Sequence, residues 1–411
     1  MSEMLKTYEE ALETKEGFKK TKIGWIPKDW EIKQIKDFAK VITGNTPPTK
    51  EPLNYGFDYS FVSPADLSSQ KYVLKTGKML STKGFELSRK MPIGSVLFTC
   101  IGSTIGKTGI NKEVLTSNQQ INAILPSKYH DSEFIYYELN RLVPKIKLLA
   151  GEQAVPMINK SEFESNYIIF PPLPEQQKIA SILSDWDKAV ENTQTLIDKL
   201  QLRKKGLMQE LLTGKTRLAG YRDEWQLIKA GDLFENHTDK NHDGTLEVLS
   251  ATQDKGVIPR SETGIDIKYN PKSLKNYKRL DVGDFVISLR SFQGGIEYSN
   301  YEGLVSPAYT VLRDKLPISK LFYREYMKTQ SFINILNSMI YGIRDGKQIS
   351  YKEFSTMKIL YPSVKEQKAI ASVIEIADKE INQYQSYLEQ LIAQKKGLMQ
   401  QLLTGKIRVK V

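Results

Sequence analysis

Residues suited to binding a phosphate group lie together at positions 102–108, where the sequence reads GSTIGKT. A phosphate-binding loop has four residues between its first glycine and the Gly-Lys-Thr that follows, because consecutive backbone amides must surround the anion. This segment has three, and the residue before Gly102 is Ile101. Nucleotide binding by a free-standing enzyme is therefore an alternative that rests on one incomplete motif.

Other patterns that would indicate catalysis are incomplete as well. Residues 45–48 (NTPP) and 170–172 (FPP) contain Pro-Pro. Neither has the Asn or Asp before Pro-Pro, or the aromatic residue after it, with which adenine methyltransferases hold the target amino group. The single cysteine, Cys100, follows Val-Leu-Phe-Thr, a composition typical of a buried strand. The three histidines have no metal-ligand spacing, so we expect no metal site and no catalytic group.

A basic segment interleaved with aromatic residues precedes a strand-like stretch in each half of the chain. The formal net charge of +11 also favours a polyanionic partner, and double-stranded DNA is the first candidate. A membrane partner is disfavoured because no apolar run approaches about 20 residues. A solvated basic surface is the alternative for each segment taken alone. The residues that we predict to contact phosphates are Lys78, Lys83, Arg89 and Lys90 in the first half and Lys272, Lys275, Lys278 and Arg279 in the second.

Sequence-specific DNA binding also needs side chains that reach the edges of bases. Arg and Lys pair with guanine, and Asn and Gln pair with adenine. The loops after the strand-like stretches contain such side chains. The candidates in these loops are Ser103, Thr104, Lys107, Asn118 and Gln119 in the first half and Arg290, Ser291 and Gln293 in the second. Further candidates in the glycine-rich turn after Tyr341 are Arg344, Lys347 and Gln348.

The strongest pattern in the chain is an internal repeat. Residues 204–215 read KKGLMQELLTGK and residues 395–406 read KKGLMQQLLTGK, at an offset of 191 residues. The same offset pairs the Glu-Gln at 175–176 with the Glu-Gln at 366–367, so the match spans a whole helix. Repeats of this kind indicate duplicated structural units.

The repeat continues upstream of the helices in a looser form. Phe98 pairs with Ile287 inside the strand-like stretches, and Trp30 pairs with Trp225 at the start of each half. The upstream modules have therefore diverged while the helices have not. This contrast indicates a shared scaffold that supports two independently tuned binding surfaces.

Both repeated helices have apolar residues in steps of four and three, which is the pattern of a coiled-coil seam. Pro174 favours a start at the first helix, and Ser363 with Glu366 predicts a capping box at the second. Gly214 and Gly405 predict the two helix ends. Short connections between modules and helices favour an antiparallel pair. The predicted seam residues are Ile179, Leu183, Trp186, Val190, Ile197 and Leu200 in the first helix and Ile370, Ile374, Ile381, Leu388 and Leu391 in the second.

Two positions in each helix depart from the seam pattern. Lys204 and Lys395 occupy equivalent seam positions, and Gly206 and Gly397 lie two residues further on. A glycine inside a helix costs about 1 kcal/mol relative to alanine. One interpretation is fraying near the helix end, and the other is a face on which a partner protein docks closely.

These patterns predict an α+β protein in which two globular α/β modules are separated by an antiparallel two-helix coiled coil with pseudo-twofold symmetry. The predicted boundaries are 1–170 for the first module with its N-terminal segment, 171–217 for the first spacer helix, 218–361 for the second module and 362–411 for the second spacer helix. The opening residues lack a signal-peptide core, so we expect a cytoplasmic protein.

Three features together resemble one known family. They are PPLPEQ at residues 171–176, KKGLMQ-x-LLTGK at the end of both helices, and GWIPKDW at residues 24–30. They closely resemble the specificity subunit of Type I restriction-modification systems, and the resemblance covers essentially the whole chain. The second helix begins YPSVKE at residues 361–366 and lacks Pro-Leu-Pro, which leaves the symmetry of partner docking open.

The resemblance implies two target-recognition domains, each binding one half-site of a bipartite DNA target, with helices that set the spacer. It also implies two methyltransferase subunits docked on the helices, optional restriction subunits, and a non-catalytic role for this chain. S-adenosylmethionine, ATP and Mg²⁺ would then be bound only by the partner subunits. From the residues alone, two alternatives stay open: a free-standing nucleotide-dependent enzyme and an architectural DNA-binding coiled-coil protein.

Overall fold

A computed structural model describes residues 16–68, 70–151, 155–264, 271–338 and 349–411 of the chain. The chain divides into two compact units. Unit 1 contains Met1–Thr193 and Tyr387–Val411, and unit 2 contains Gln194–Ser386. Unit 1 therefore joins the first part of the chain to its last 25 residues.

Unit 1 has one main mixed sheet with the strand order β4-β11-β8-β9-β6, in which β6 lies parallel to β9 and the other pairs are antiparallel. Two-stranded pairs β1-β2 and β3-β12 and a three-stranded sheet β10-β5-β7 accompany it. The strands are β1 (Phe18–Thr21), β2 (Gly24–Pro27), β3 (Glu31–Gln34), β4 (Val41–Thr43), β5 (Tyr55–Val62), β6 (Tyr72–Val73), β7 (Lys78–Leu80), β8 (Val96–Thr99), β9 (Thr108–Asn111), β10 (Thr116–Ser117), β11 (Ile121–Ile124) and β12 (Tyr167–Phe170). In the described residues, the α-helices before the first long helix are α1 (Ile35–Phe38), α2 (Thr82–Glu86), α3 (Ser132–Leu149) and α4 (Lys160–Glu164).

The central strand β8 is buried on both faces because its side chains alternate between two cores. Val96 and Phe98 pack in the core that contains α3, and Leu97 packs on the opposite side, in the cluster that contains Val62 of β5. This burial explains why the strand reads as a continuous apolar run. Cys100 follows β8 directly and is buried, as expected for a strand thiol, and burial raises its pKa to about 12.

Unit 2 repeats this plan with a main antiparallel sheet in the order β14-β21-β18-β19. Phe285 and Ile287 of its central strand enter one core, and Val286 enters the other. The strands are β13 (Gln226–Lys229), β14 (Phe234–His237), β15 (Leu249–Thr252), β16 (Gly256–Pro259), β17 (Lys278–Leu280), β18 (Phe285–Ile287), β19 (Glu297–Tyr298), β20 (Gly303–Val305), β21 (Thr310–Asp314) and β22 (Lys358–Tyr361). After the first long helix, which is α5, come α6 (Ala230–Leu233), α7 (Ser291–Gly294), α8 (Lys320–Tyr326), α9 (Gln330–Ser338) and α10 (Tyr351–Thr356).

In each module, the last strand pairs with the strand that follows the equivalent tryptophan, Trp30 or Trp225, near the start of the module. In unit 1, β3 pairs antiparallel with β12, and in unit 2, β13 pairs antiparallel with β22. The last strand of each module then leads directly into a long helix, either α5 (Leu173–Leu211) or α11 (Val364–Leu403). The loose repeat seen in the sequence is thus a repeat of whole modules, with β8 matching β18.

The predicted helix limits agree with the structure except for one cap. Gly214 and Gly405 follow the last helical turns with φ of 73° and 68°, a conformation that glycine adopts without strain. Ser363 Oγ accepts a hydrogen bond from the Glu366 backbone amide at 3.4 Å, which is the first half of the predicted capping box. The Glu366 carboxylate, however, accepts hydrogen bonds from Arg217 and binds there rather than completing the cap.

The long helices run antiparallel within each unit. In unit 1, the end of α11 lies beside the start of α5, since Leu402 shares a core with Ile179. In unit 2, the end of α5 lies beside the start of α11, since Leu211 shares a core with Ile370. Of the predicted seam residues, Ile179, Leu183, Ile197, Leu200, Ile370, Ile374, Ile381 and Leu391 are buried, and Trp186, Val190 and Leu388 are partly buried.

Candidate nucleic-acid interface

The loops between strands of the main sheet in unit 1 leave it at one edge. Thr43 at the end of β4 is opposite Asn122, Thr99 at the end of β8 is opposite Ile121, and Thr108 at the start of β9 is opposite Phe98. Residues 44–48, 100–107 and 118–120 therefore emerge together. We call these residues, together with Arg89, the first loop edge.

Hydrogen bonds draw exposed polar side chains together at the first loop edge. Arg89 Nη1 donates to Thr43 O at 2.8 Å, and the Arg89 amide donates to Asn45 Oδ1 at 2.7 Å. Thr46 Oγ1 donates to Gln119 Oε1 at 2.7 Å. Arg and Gln are the side chains that address guanine and adenine edges. The structure thus brings Arg89, which the sequence assigned to phosphate contact, next to the predicted base-reading residue Gln119. Asn45 and Thr46, to which the sequence assigned no binding role, lie beside them.

Two other predicted residues of the first loop edge organise the loops themselves. Asn118 is half-buried, and its Nδ2 donates to Gln120 Oε1 at 2.9 Å. Lys107 is also half-buried, and its Nζ donates to Pro64 O at 3.1 Å. Ser103 is exposed and Thr104 is half-buried in the same loop.

The Gly-Lys-Thr near-motif does not have the geometry of a phosphate loop. In such loops the motif opens a helix, whose amino terminus faces the phosphates. Here Thr108 opens strand β9, and a side chain at Gly106 would lie 2.6 Å from Val143 Cγ1 of α3. The segment packs against a helix instead of surrounding an open anion site. The fold therefore argues against the nucleotide-binding alternative.

The predicted phosphate contacts of the first module lie on exposed positions around β7 and α2. Lys78 is exposed, Lys83 Nζ is 3.9 Å from Glu51, and Lys90 Nζ is 2.7 Å from Glu86 Oε1. Exposed ion pairs of this kind contribute only about 0–1 kcal/mol. A phosphate could therefore displace these carboxylates at little cost in free energy, and contact of these lysines with phosphate stays a prediction.

The equivalent edge of unit 2 is formed by residues 288–296 and 306–309, because Ile287 at the end of β18 is opposite Thr310 at the start of β21. We call this the second loop edge. Lys278 Nζ donates to Tyr309 O at 2.6 Å. Burial and then the nearby charge of Lys240 lower the pKa of Lys278. A lysine beside a second cation suits contact with an anion such as a phosphate, and that contact stays a prediction.

The other predicted residues of the second module have different surroundings. Arg279 is held between Asp281 and Glu302, with its Nη2 2.7 Å from Glu302 Oε1. Arg290 and Gln293 are exposed on the second loop edge. Ser291 is buried, and its Oγ accepts a hydrogen bond from the Ser288 amide at 2.8 Å, so its side chain shapes the loop. Lys275 is exposed, whereas the side chain of Lys272 and the residues Arg344, Lys347 and Gln348 lie outside the described residues.

The four residues predicted to dock a partner fall into two groups. Lys204 Nζ is 2.6 Å from Asp378 Oδ1 in unit 2, and Lys395 Nζ pairs with Asp187 in unit 1. Both lysines thus have partners inside their own unit. Gly206 and Gly397 face open space, because a methyl group on either Cα would have no neighbouring atom within 4 Å. Docking at these glycines stays a prediction, as does contact of the loop-edge residues with DNA.

Two further features of the described residues bear on function. None of their helices is both long enough and apolar enough to cross a membrane. In the same parts of the chain, the acidic, histidine and cysteine side chains form no group of three or more suited to holding a metal ion.

Comparison with known proteins identifies this arrangement. The profile of the Type I restriction modification DNA specificity domain matches residues 27–202 and again residues 222–390. The chain is thus a protein with two copies of a DNA-specificity domain, each covering one module and part of a long helix. It belongs to the family of specificity subunits of Type I restriction-modification systems, with two target-recognition domains.

Relatives and solved structures agree with this assignment. The Type I restriction enzyme MjaVIII specificity subunit of Methanocaldococcus jannaschii is 26% identical over 428 residues, which cover 96% of this chain and 97% of the relative. The S subunit of a Type I system from M. genitalium has a TM-score of 0.52 at 17% identity, covering 91% of this chain and 96% of its own. A chain from a structure of the assembly and conformational transition of the Type I system has a TM-score of 0.60 at 15% identity, with coverages of 93% and 99%. The predicted fold class is confirmed.

Proposed function

We propose that this chain gives a Type I restriction-modification complex its DNA sequence preference by binding a bipartite target. The observation that supports the proposal most directly is the duplicated loop edge. Each module presents exposed arginine and glutamine side chains, Arg89 and Gln119 in one and Arg290 and Gln293 in the other. Each loop edge would read one half-site through base edges, while the surrounding lysines contact phosphates.

The partner subunits follow from the same proposal. Two methyltransferase subunits dock on the long helices, and restriction subunits join them, in the cytoplasm where the DNA is. This chain is non-catalytic, and S-adenosylmethionine, ATP and Mg²⁺ are bound by those partners. The structure of an assembled Type I system among the neighbours supports this arrangement by analogy of fold.

Methylome sequencing tests the proposal. Cells that carry this chain together with its methyltransferase partner are expected to contain methylated adenines in one bipartite motif, with two defined half-sites and a fixed spacer. The motif should disappear when this chain is deleted. A methylation pattern that is unaffected by the deletion would refute the proposal, and binding of scrambled DNA with equal affinity at several salt concentrations would favour the architectural alternative.

Paired variants show which module reads which half-site. Arg89→Ala is expected to relax recognition at one or two positions of one half-site, at about 1–3 kcal/mol for a lost bidentate contact. Arg290→Ala should do the same in the other half-site. Exposed lysines in the same modules, Lys78→Ala and Lys275→Ala, serve as controls, because loss of a phosphate contact weakens binding without changing the motif.

A further inference from the structure

Each unit contains one cluster in which an arginine and a tryptophan share a buried glutamate. In unit 2, Arg217 donates to Glu366 through Nε at 2.6 Å and Nη2 at 2.7 Å, and Trp225 Nε1 donates to Glu366 Oε2 at 2.9 Å. The guanidinium lies 5.2 Å from the centre of the Trp225 ring. We call these three residues the second clasp.

The first clasp consists of Arg408, Trp30 and Glu175 in unit 1. Arg408 donates to Glu175 through Nε at 3.0 Å and Nη2 at 2.5 Å, and Trp30 Nε1 donates to Glu175 Oε2 at 3.3 Å. The guanidinium lies 5.4 Å from the Trp30 ring centre. Asp29 adds a second carboxylate, 2.7 Å from Arg408 Nη2.

The carboxylates of both clasps depend on these partners. Glu175 is 4% exposed and Glu366 is 1% exposed. A buried carboxylate is strongly unfavourable unless charged or hydrogen-bonding groups surround it. Two parallel hydrogen bonds from a guanidinium satisfy such a group and also fix its orientation, which a lysine does not do.

Each clasp joins three different stretches of the chain. Trp30 directly precedes β3 at the start of its module, and Glu175 lies in the first turn of the helix that leaves the same module. Arg408 follows the other long helix, α11, three residues after the Gly405 turn. In the second clasp, Trp225 directly precedes β13, and Glu366 lies in the first turn of α11. Arg217 follows the end of α5. The start of a module is thereby held to the beginning of one long helix and to the end of the other.

We propose that Arg217 and Arg408 are positioning residues that fix the angle of each module on the helices of its own unit, and thereby fix the spacing between half-sites that the protein accepts. This proposal rests on the bipartite recognition argued above. Neither arginine touches the loop edges, so their loss leaves the base contacts in place. What changes is how rigidly each module, and therefore its set of base contacts, is held on the long helices of its unit.

The test measures spacer tolerance in the assembled complex of this chain and its methyltransferase. Arg217→Ala, Arg408→Ala and the double variant are compared on DNA with both half-sites intact and the spacer shortened or lengthened by one base pair. For each clasp variant, the ratio of methylation at altered spacing to methylation at native spacing is expected to rise about tenfold, equivalent to about 1.4 kcal/mol. The motif within each half-site should not change. Arg222→Ala and Lys410→Ala remove neighbouring exposed cations and serve as matched controls.

Conservative variants separate positioning from simple loss of folding. Arg408→Lys and Arg217→Lys keep the charge but lose the two parallel hydrogen bonds, and Trp225→Phe keeps the ring but loses the indole N–H. We expect ratios between those of wild type and the alanine variants. A uniform loss of methylation at all spacings, or a changed half-site motif, would overturn the proposal. If wild type itself methylates no bipartite motif, the proposed function fails instead.

Discussion

Equivalent positions on the two long helices meet different surroundings in the two units. Lys395 pairs with Asp187 in unit 1, and Lys204 pairs with Asp378 in unit 2, at the offset of the repeat. In unit 1, Asp187 also accepts a hydrogen bond from Tyr137 and lies 3.7 Å from the ammonium of Lys71. The two long helices thus form the same Lys–Asp ion pair in both units, and the residues around each pair come from the module of that unit.

The ammonium of Lys71 organises the surroundings in unit 1. Its side chain is 8% exposed, and its Nζ donates to Glu133 at 3.0 Å, Tyr137 at 3.2 Å and Ser184 at 2.7 Å. Tyr72, the next residue along, donates to the same Glu133. One lysine of the module thus ties α3 and α5 together through a buried polar network.

Unit 2 has an open cleft at the corresponding place. Tyr137 is the sixth residue after Asp131, the N-cap of α3, and Glu325 is the sixth after Ser319, the N-cap of α8. Glu325 is paired with its neighbour Arg324. The cleft has a volume of about 400 Å³ and is lined by Arg324, Glu325, Glu375, Asp378, Lys379 and Asn382. A repeated scaffold therefore supports a filled network in one unit and an open surface in the other.

Removal of Lys71 is the largest expected perturbation. Lys71→Met keeps most of the side-chain volume but leaves Glu133 and Asp187 without their shared cation, at a cost of about 3 kcal/mol to unit 1. Hydrogen exchange followed by mass spectrometry reports each unit separately. Protection in β8 and α3 should fall by about two orders of magnitude, while peptides from unit 2 provide the internal reference.

The matched control is Lys75→Met, which removes an exposed lysine four residues further on. It is expected to change protection by less than threefold. Similar protection of β8 in the two variants would show that the network around Lys71 does not hold unit 1 together.

Acid is expected to affect the units in opposite directions. Burial lowers the pKa of His130 in unit 1 to about 4, so the unfolded state binds more protons between pH 6.5 and 4 and stability falls as the pH falls. Burial raises the pKa of Glu297 in unit 2 above 4.5, although Lys328 opposes this. The native state therefore binds this proton more tightly than the unfolded state does. The stability that the protonated Glu297 carboxyl contributes at low pH is lost as the pH rises through its raised pKa.

Hydrogen exchange at pH 6.5, 5.5 and 4.5 measures this divergence. After correction for intrinsic exchange rates, unit 1 should lose about 2 kcal/mol relative to unit 2 over this range. His130→Asn should flatten the response of unit 1, and Glu297→Gln that of unit 2. Parallel responses in wild type would contradict the prediction.

The sequence predicted the repeated parts well because they are encoded locally. The helices carry their own seam, start and stop signals, and Gly214 and Gly405 end them as expected. The sequence also contained an unused signal for the clasps, since Arg217 and Arg408 are separated by the same 191 residues as the glutamates that they bind.

The loop edges were harder to predict because they depend on long-range strand pairing. Thr46 meets Gln119, 73 residues away, only because β4 pairs with β11. No local spacing encodes that contact. Ser291 shows the converse: its residue type suits DNA binding, but its burial is set by the fold of the loop. Residue type indicates which contacts a side chain could make with DNA, whereas strand pairing determines which side chains lie together at a loop edge.

The smallest expected effect concerns Gly206 and Gly397, which lie beside the two differing lysine bridges. Each position has room for a methyl group, so Gly206→Ala and Gly397→Ala should each stabilise the isolated chain by about 0.5–1 kcal/mol. If a methyltransferase subunit docks closely there, the same methyl group weakens assembly. In that case, thermal unfolding should show a higher melting temperature of the isolated chain, and titration with the partner subunit should show a lower affinity.

Gln201→Ala and Gln394→Ala, at exposed positions of the same helices, control for helix propensity alone. Greater stability with unchanged assembly would assign the glycines to helix fraying and remove the docking interpretation. If assembly weakens, comparison of the two glycine variants shows whether the partner contacts only the repeated helices or also the residues around them. Equal losses of affinity in the two variants mean that the partner contacts only the repeated helices. A larger loss for Gly206→Ala means that the partner also contacts the open cleft of unit 2.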